Sequence, residues 1–187
     1  MVTQGGKVML VWLSLLVADA PPVSSGPTVG EKPAPYSFVV STGVRRGQLH
    51  CFVCEAAEKP FIIFFARQPN DTTGELASRC DTIIREARTR DARGWVTFLQ
   101  PDQSSFDNRA LLFGRKHKLG TMATGVFEDI VGPPDYKIAA EADLTIVMAR
   151  GEKVIRTMAF TANGLDKAGA DSVANTWRDL LKEVSKP

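Results

Sequence analysis

"FIIFFA", Phe61 to Ala66, decides the fold. Six consecutive apolar residues without alternation describe a strand buried on both faces, the pattern found in the middle of a parallel sheet. Downstream, "TTGE" (Thr72–Glu75) has the spacing of a capping box, and behind it Leu76, Cys80, Ile83, Ile84 and Ala87 recur at helical spacing. "WVTFL", Trp95 to Leu99, reads as a second strand. Ser104 or Ser105 then caps a helix carrying Phe106, Ala110, Leu111 and Phe113. A looser stretch with Gly125 and "GPP" (Gly132–Pro134) leads to a third core strand, "LTIVMA" (Leu144–Ala149). The turn "RGE" (Arg150–Glu152) sends the chain back as "KVIRTMAF" (Lys153–Phe160), an antiparallel partner. In the last helix Val173, Trp177, Leu180, Leu181 and Val184 share a face, with Asp166 or Asp171 at its start.

Strand, helix, strand, helix, strand, strand, helix is therefore the core order. Two strand–helix–strand crossovers impose parallel pairing and right-handed connections, and the hairpin adds antiparallel strands. The expectation is an α/β chain with a mixed β-sheet flanked by helices. Upstream, "YSFVV" (Tyr36–Val40) and a turn bracketed by Gly43 and Gly47 predict an N-terminal β-hairpin extension. Residues 21–35, dense in Pro, Gly and Ser, read as a linker outside the core. The expected organisation is a single domain over 36–187, with the hairpin at 36–60 and the core at 61–187.

Length and composition agree with one globular domain: 187 residues, a formal charge of +2 and 44% hydrophobic residues. So small a charge gives no global field to attract nucleic acid, and nucleic acid is not an expected partner. The first twenty residues depart from this average. Lys7 precedes the apolar run "VMLVWLSLLV" (Val8–Val17), followed by "ADA" (Ala18–Ala20), which reads as a secretory signal peptide, with an uncleaved anchor or a buried strand as the alternative. The run is too short to span a bilayer comfortably, so no stable membrane span is expected after cleavage. An extracytoplasmic chain, periplasmic or secreted, meets conditions in which a close cysteine pair can persist as a disulfide.

The strand order resembles the thioredoxin fold from Phe61 to the C-terminus, most specifically in "LTIVMARGEKVIRTMAFTANGLDKAGADSVANTWRDLLKEV". The segment "GEKPAPYSFVVSTG…EKPFIIFFAR" resembles the hairpin that precedes the core in the peroxiredoxin and membrane-tethered thioredoxin-like branches. The resemblance implies a reactive cysteine at the start of the helix after the first core strand, but "RQPNDTTGEL" (Arg67–Leu76) contains none. Thr73 stands about where a peroxiredoxin places its attacking cysteine, and a hydroxyl cannot do that chemistry. The resemblance also implies a cis-proline before the third core strand, where this chain has Asp143.

The cysteine pair lies elsewhere, in "LHCFVCE" (Leu49–Glu55). Three readings of Cys51 and Cys54 are open. A redox pair would exchange with protein thiols or disulfides, with His50, Arg45 and Arg46 favouring a thiolate through their positive charge. This would make the chain a thiol–disulfide oxidoreductase that needs no organic cofactor. A structural disulfide would pin the hairpin in a redox-inactive binding or scaffold protein, and a metal held by Cys51, Cys54 and His50 is the third reading. Arg67, at the end of the buried strand, with Asp71, Thr72, Thr73 and Asp143, forms a further candidate binding group. Cys80 falls on the apolar helix stripe as a buried thiol, and His117 in "GRKHK" complements the end of its own helix.

Overall fold

The computed structural model describes residues 23–87 and 91–184; the predicted signal segment, residues 1–20, lies outside them. Strands β1 (Phe38–Val40), β2 (Leu49–His50), β3 (Pro60–Ala66), β4 (Arg93–Leu99), β5 (Ala123–Phe127), β6 (Leu144–Arg150) and β7 (Lys153–Phe160) form one sheet. Helices α1 (Phe52–Ala56), α2 (Asp71–Glu86), α3 (Gln103–Lys116) and α4 (Lys167–Val184) flank it, with a 3₁₀ turn at Pro134–Tyr136.

The strands lie in the order β2-β1-β5-β4-β3-β6-β7. All seven residues of β3 are buried, as the unbroken apolar run requires. Its neighbours make the sheet mixed, as expected: β4 runs parallel to it and β6 antiparallel. The second crossover, however, closes on a strand that was not read from the sequence. β4 and β5 pair in parallel through α3, so β6 enters beside β3 and not beside β4. β5 was hidden because "ATGVF" has neither alternation nor an apolar run.

Alternation along β3 splits the core in two. Ile62, Phe64 and Ala66 face α2, α3 and α4, meeting Leu76, Cys80, Ala110, Phe113, Val173 and Trp177. Phe61, Ile63 and Phe65 face the opposite layer, built from Tyr36, Phe38, Trp95, Tyr136 and Ala56. The three long helices thus share one face, and the second face is closed by the hairpin, short α1 and the 3₁₀ turn.

Helix starts also move relative to the sequence reading. Asn70, not Thr72, caps α2, its side chain accepting the Thr73 N–H at 2.8 Å. Asp102 caps α3 in place of Ser104 or Ser105, accepting the Ser105 N–H at 3.1 Å. An Asx side chain placed just outside the first turn satisfies an amide that the helix cannot. For α4 the expected Asp166 accepts the Gly169 N–H at 2.7 Å, whereas Asp171 pairs with Arg79 and Lys167.

Residues 23–35 are extended but not a free linker. Ser25 is buried, sharing a 2.7 Å hydrogen bond with the Thr145 hydroxyl and accepting the Ala139 N–H. Gly30 N–H donates to Val154 O and Val154 N–H to Glu31 O, each at 2.8 Å, so this arm is strapped to β7. Its prolines cost no N–H donors that the strap needs. Among the described residues no helix is long and apolar enough to cross a membrane.

Candidate functional site

Cys51 and Cys54 form a disulfide, with Cα atoms 5.4 Å apart. The local chain explains the encounter. Strand β2 ends at His50, Cys51 takes extended backbone angles as N-cap of α1, and one helical turn brings Cys54 back beside it. The Cys54 N–H donates to Cys51 Sγ at 3.2 Å. Cys51 is half-buried and Cys54 is exposed. Behind the pair, Phe52 stacks on Trp95 at 5.5 Å, and Ala56 is fully buried, so α1 is seated on the second core layer.

The positive charges expected to favour a thiolate are directed at a carboxylate instead. Glu55 accepts from His50 Nε2 at 2.6 Å, and Arg45 and Arg93 reach it at 3.1 and 3.7 Å. Burial pushes the Glu55 carboxyl up, but His50 and the two arginines outweigh it and hold it below the usual carboxylate range. Arg46 points elsewhere, 4.0 Å from Asp107. Glu55 and Arg93 went unread in the sequence. The signal for Glu55 was its place directly after Cys54 with two arginines and a histidine close upstream; Arg93, distant in sequence, gave none.

Phe52, Glu55, Arg45 and Arg93 border a groove of about 280 Å³ that also involves the turn before β5. Among the described residues no three His, Cys, Asp or Glu side chains gather as a metal-binding group. Metal ligation by Cys51 and Cys54 would require both sulfurs as free thiolates, a state different from the disulfide seen here.

The other candidate group divides. Thr72, Thr73, Asn70 and Asp143 line one cleft of about 280 Å³ between the α2 start and the chain entering β6, floored by Leu144, Phe160 and Leu165. Asn70 joins its two sides: its carbonyl takes the Thr73 N–H while its amide reaches Asp143 at 3.3 Å. Burial pushes the Asp143 carboxyl above its ordinary value, with Arg67 pulling the other way. Thr73 and Asp143 thus line the same cleft. Asp71 turns away to Lys116 at 2.5 Å and His117 at 3.5 Å. Arg67 donates to three carbonyls, of Ala142, Ile130 and Ala139, and so its guanidinium ties the loop before β6.

His117 caps the end of its own helix, its backbone N–H donating to Phe113 O at 3.1 Å, while its side chain reaches across to α2. Its ring lies against Gly74 of α2, where an added Cβ would meet it at 2.2 Å, and tilts onto Phe113 at 4.8 Å. Cys80 is fully buried, and desolvation pushes its thiol up to about 12, which leaves it an inert core residue.

The disulfide and the cleft occupy opposite ends of β3. α1 leads into its first residue, and α2 departs from its last, so seven residues of strand, on the order of 20 Å, separate them.

No protein-family model matches the chain, and no curated protein matches it. Solved structures do. A candidate protein disulfide isomerase from Bacteroides thetaiotaomicron superposes with TM-score 0.63 at 12% identity, over 86% of this chain and 95% of that one. Peroxidoxin BcpB from Mycobacterium tuberculosis gives 0.59 at 12% identity, covering 84% and 98%. A candidate thiol:disulfide interchange protein DsbE from Chlorobium tepidum gives 0.59 at 11%, covering 82% and 98%. At such identities the likeness is one of fold, and that fold is thioredoxin-like.

Proposed function

We propose that this thioredoxin-like chain carries out thiol–disulfide exchange with protein partners through Cys51 and Cys54, at a site displaced from the usual helix start. One observation carries the reading: the two sulfurs are bonded across a single helical turn, with Cys54 exposed to a partner. A loop this short restricts the unfolded chain little, which makes the bond a poor staple and leaves exchange as the better use of it. The exchange needs only the partner's sulfur and no organic cofactor.

The protein should bring an insulin-reduction assay above background, and Cys51→Ser should abolish the gain. Equal rates for the two proteins would rule exchange out. The pair's reduction potential is expected between about −270 and −120 mV, the span of working oxidoreductases. A value well below that range would mark a permanent structural bridge.

Export is part of the same proposal. The Lys7–Ala20 pattern supports signal cleavage before Pro21, and an oxidising compartment suits the disulfide. Mass measurement of the protein recovered from the extracytoplasmic fraction checks both points together.

A second reading rests on a different observation, the cleft in which Asn70 links Thr73 to Asp143. Under it the chain is a redox-inactive binding protein whose Cys51–Cys54 bridge stays oxidised. The potential just described separates the two readings.

A further inference from the structure

We infer that the two cysteines have fixed and unequal roles: Cys54 is the sulfur that a partner thiolate attacks, and Cys51 is the sulfur that leaves. This rests on the exchange reading and adds the order of events and the partner's chemistry.

Two independent features set the order. Access is the first. Cys54 is exposed, whereas Cys51 is half-buried; the rings of its two sequence neighbours, His50 and Phe52, meet edge-on at 4.6 Å. A thiolate must approach the attacked sulfur from the side opposite the breaking bond, which requires open space there.

Stabilisation of the leaving group is the second. Among the described residues, the one hydrogen bond to either sulfur runs from the Cys54 N–H to Cys51 Sγ, at 3.2 Å. That amide is already in place before the bond breaks. As negative charge collects on Cys51, the bond becomes charge-assisted and strengthens, while nothing comparable awaits charge on Cys54. The neighbouring ionic groups do not reverse this preference. Glu55 of α1, His50 of β2, Arg45 of the hairpin turn and Arg93 of β4 are engaged with one another, with Glu55 at the centre.

A partner thiolate attacks Cys54 Sγ, a bond forms between the two, and the Cys51–Cys54 bond breaks with its electron pair going to Cys51. A second thiolate of the same partner attacks the partner's sulfur in this mixed disulfide. The partner acquires its own disulfide, and Cys54 leaves as a thiolate that takes a proton from water. Two electrons pass from the partner dithiol to the pair. The substrate class is thus a protein dithiol with at least one cysteine in an exposed segment.

The wild-type oxidised protein tests the order without a substitution that could disturb folding. It is mixed with excess reduced glutathione, quenched with acid at early times, blocked with N-ethylmaleimide and mapped by peptide mass. Glutathione should be found on Cys54 and maleimide on Cys51, with at least about a tenfold preference, the worth of one hydrogen bond to a charged acceptor. Glutathione mainly on Cys51, or equally on both, overturns the assigned order and leaves the exchange reading standing. No adduct on either residue, with the disulfide intact, overturns the exchange reading itself.

Discussion

Asp81→Ala should lower folding stability by about 3 kcal/mol, although the residue itself lines neither the groove beside the disulfide nor the cleft. Its carboxylate is completely buried on α2, yet it is a connector between elements. One oxygen accepts from Thr121 N–H, Thr121 hydroxyl and Met122 N–H, each at 2.7 Å. The other takes Gly120 N–H at 3.3 Å and Arg85 Nε at 3.1 Å. Alanine would leave the amides of the turn before β5 facing a cavity without an acceptor, so the cost is that of stranded donors more than of a lost ion pair.

The same contacts fix the sign of a pH effect. Burial raises the Asp81 carboxyl, but the Thr121 hydroxyl and the amides of Met122, Thr121 and Gly120 outweigh it, and the net position is below the ordinary carboxylate value. A folded value below the unfolded one contributes stability above the unfolded value, about 3.9, and loses it as pH falls through the folded value. Urea melts from pH 7 downward should therefore show the gap between wild type and Asp81→Asn narrowing below about pH 4. A gap independent of pH would mean that the charge on Asp81 is not what holds the turn.

Gly125→Val should cost about 3 kcal/mol or more, with a local signature. Gly125 lies in β5 opposite Val40 of β1, and an added Cβ would stand 2.3 Å from Val39 O and 2.5 Å from the Phe38 ring. Backbone cannot yield as a flexible side chain can, so β1 must move away. β2 and α1, with the disulfide, are attached to β1, and the whole hairpin should loosen as a unit. Hydrogen exchange would then speed up over residues 38–56 while β3 and β6 keep their protection. Uniform loss of protection would instead indicate that the hairpin and the central sheet unfold together.

The central sheet was legible because β3, β6, β7 and α4 carry long one-sided or two-sided apolar patterns. β5 was not, since Gly125 serves a close approach of another strand and a glycine inside a strand reads as a break. The caps moved for a related reason: Asn70 and Asp102 stand one residue before their helices, and nearby serines and threonines offer the same spacing signal. At the candidate site the cysteine pair and its neighbours in sequence were found, but not the use of the charges. His50 and Arg45 are spent on Glu55, Arg46 pairs toward Asp107, and Arg93 arrives from a strand remote in sequence. Pairings of that kind follow from which strand ends are neighbours, and no local pattern records them.

The strap at residues 25–31 has a consequence for how the protein behaves in company. β7 is the last strand of the sheet, and Gly30 and Glu31 occupy the amide and carbonyl of Val154 that would otherwise invite a strand from another molecule. Proteolytic trimming that took away this segment would open a template for edge-on self-association, leaving the cysteines untouched but lowering solubility. The stretch read as a linker in the sequence thus covers part of the sheet's last edge.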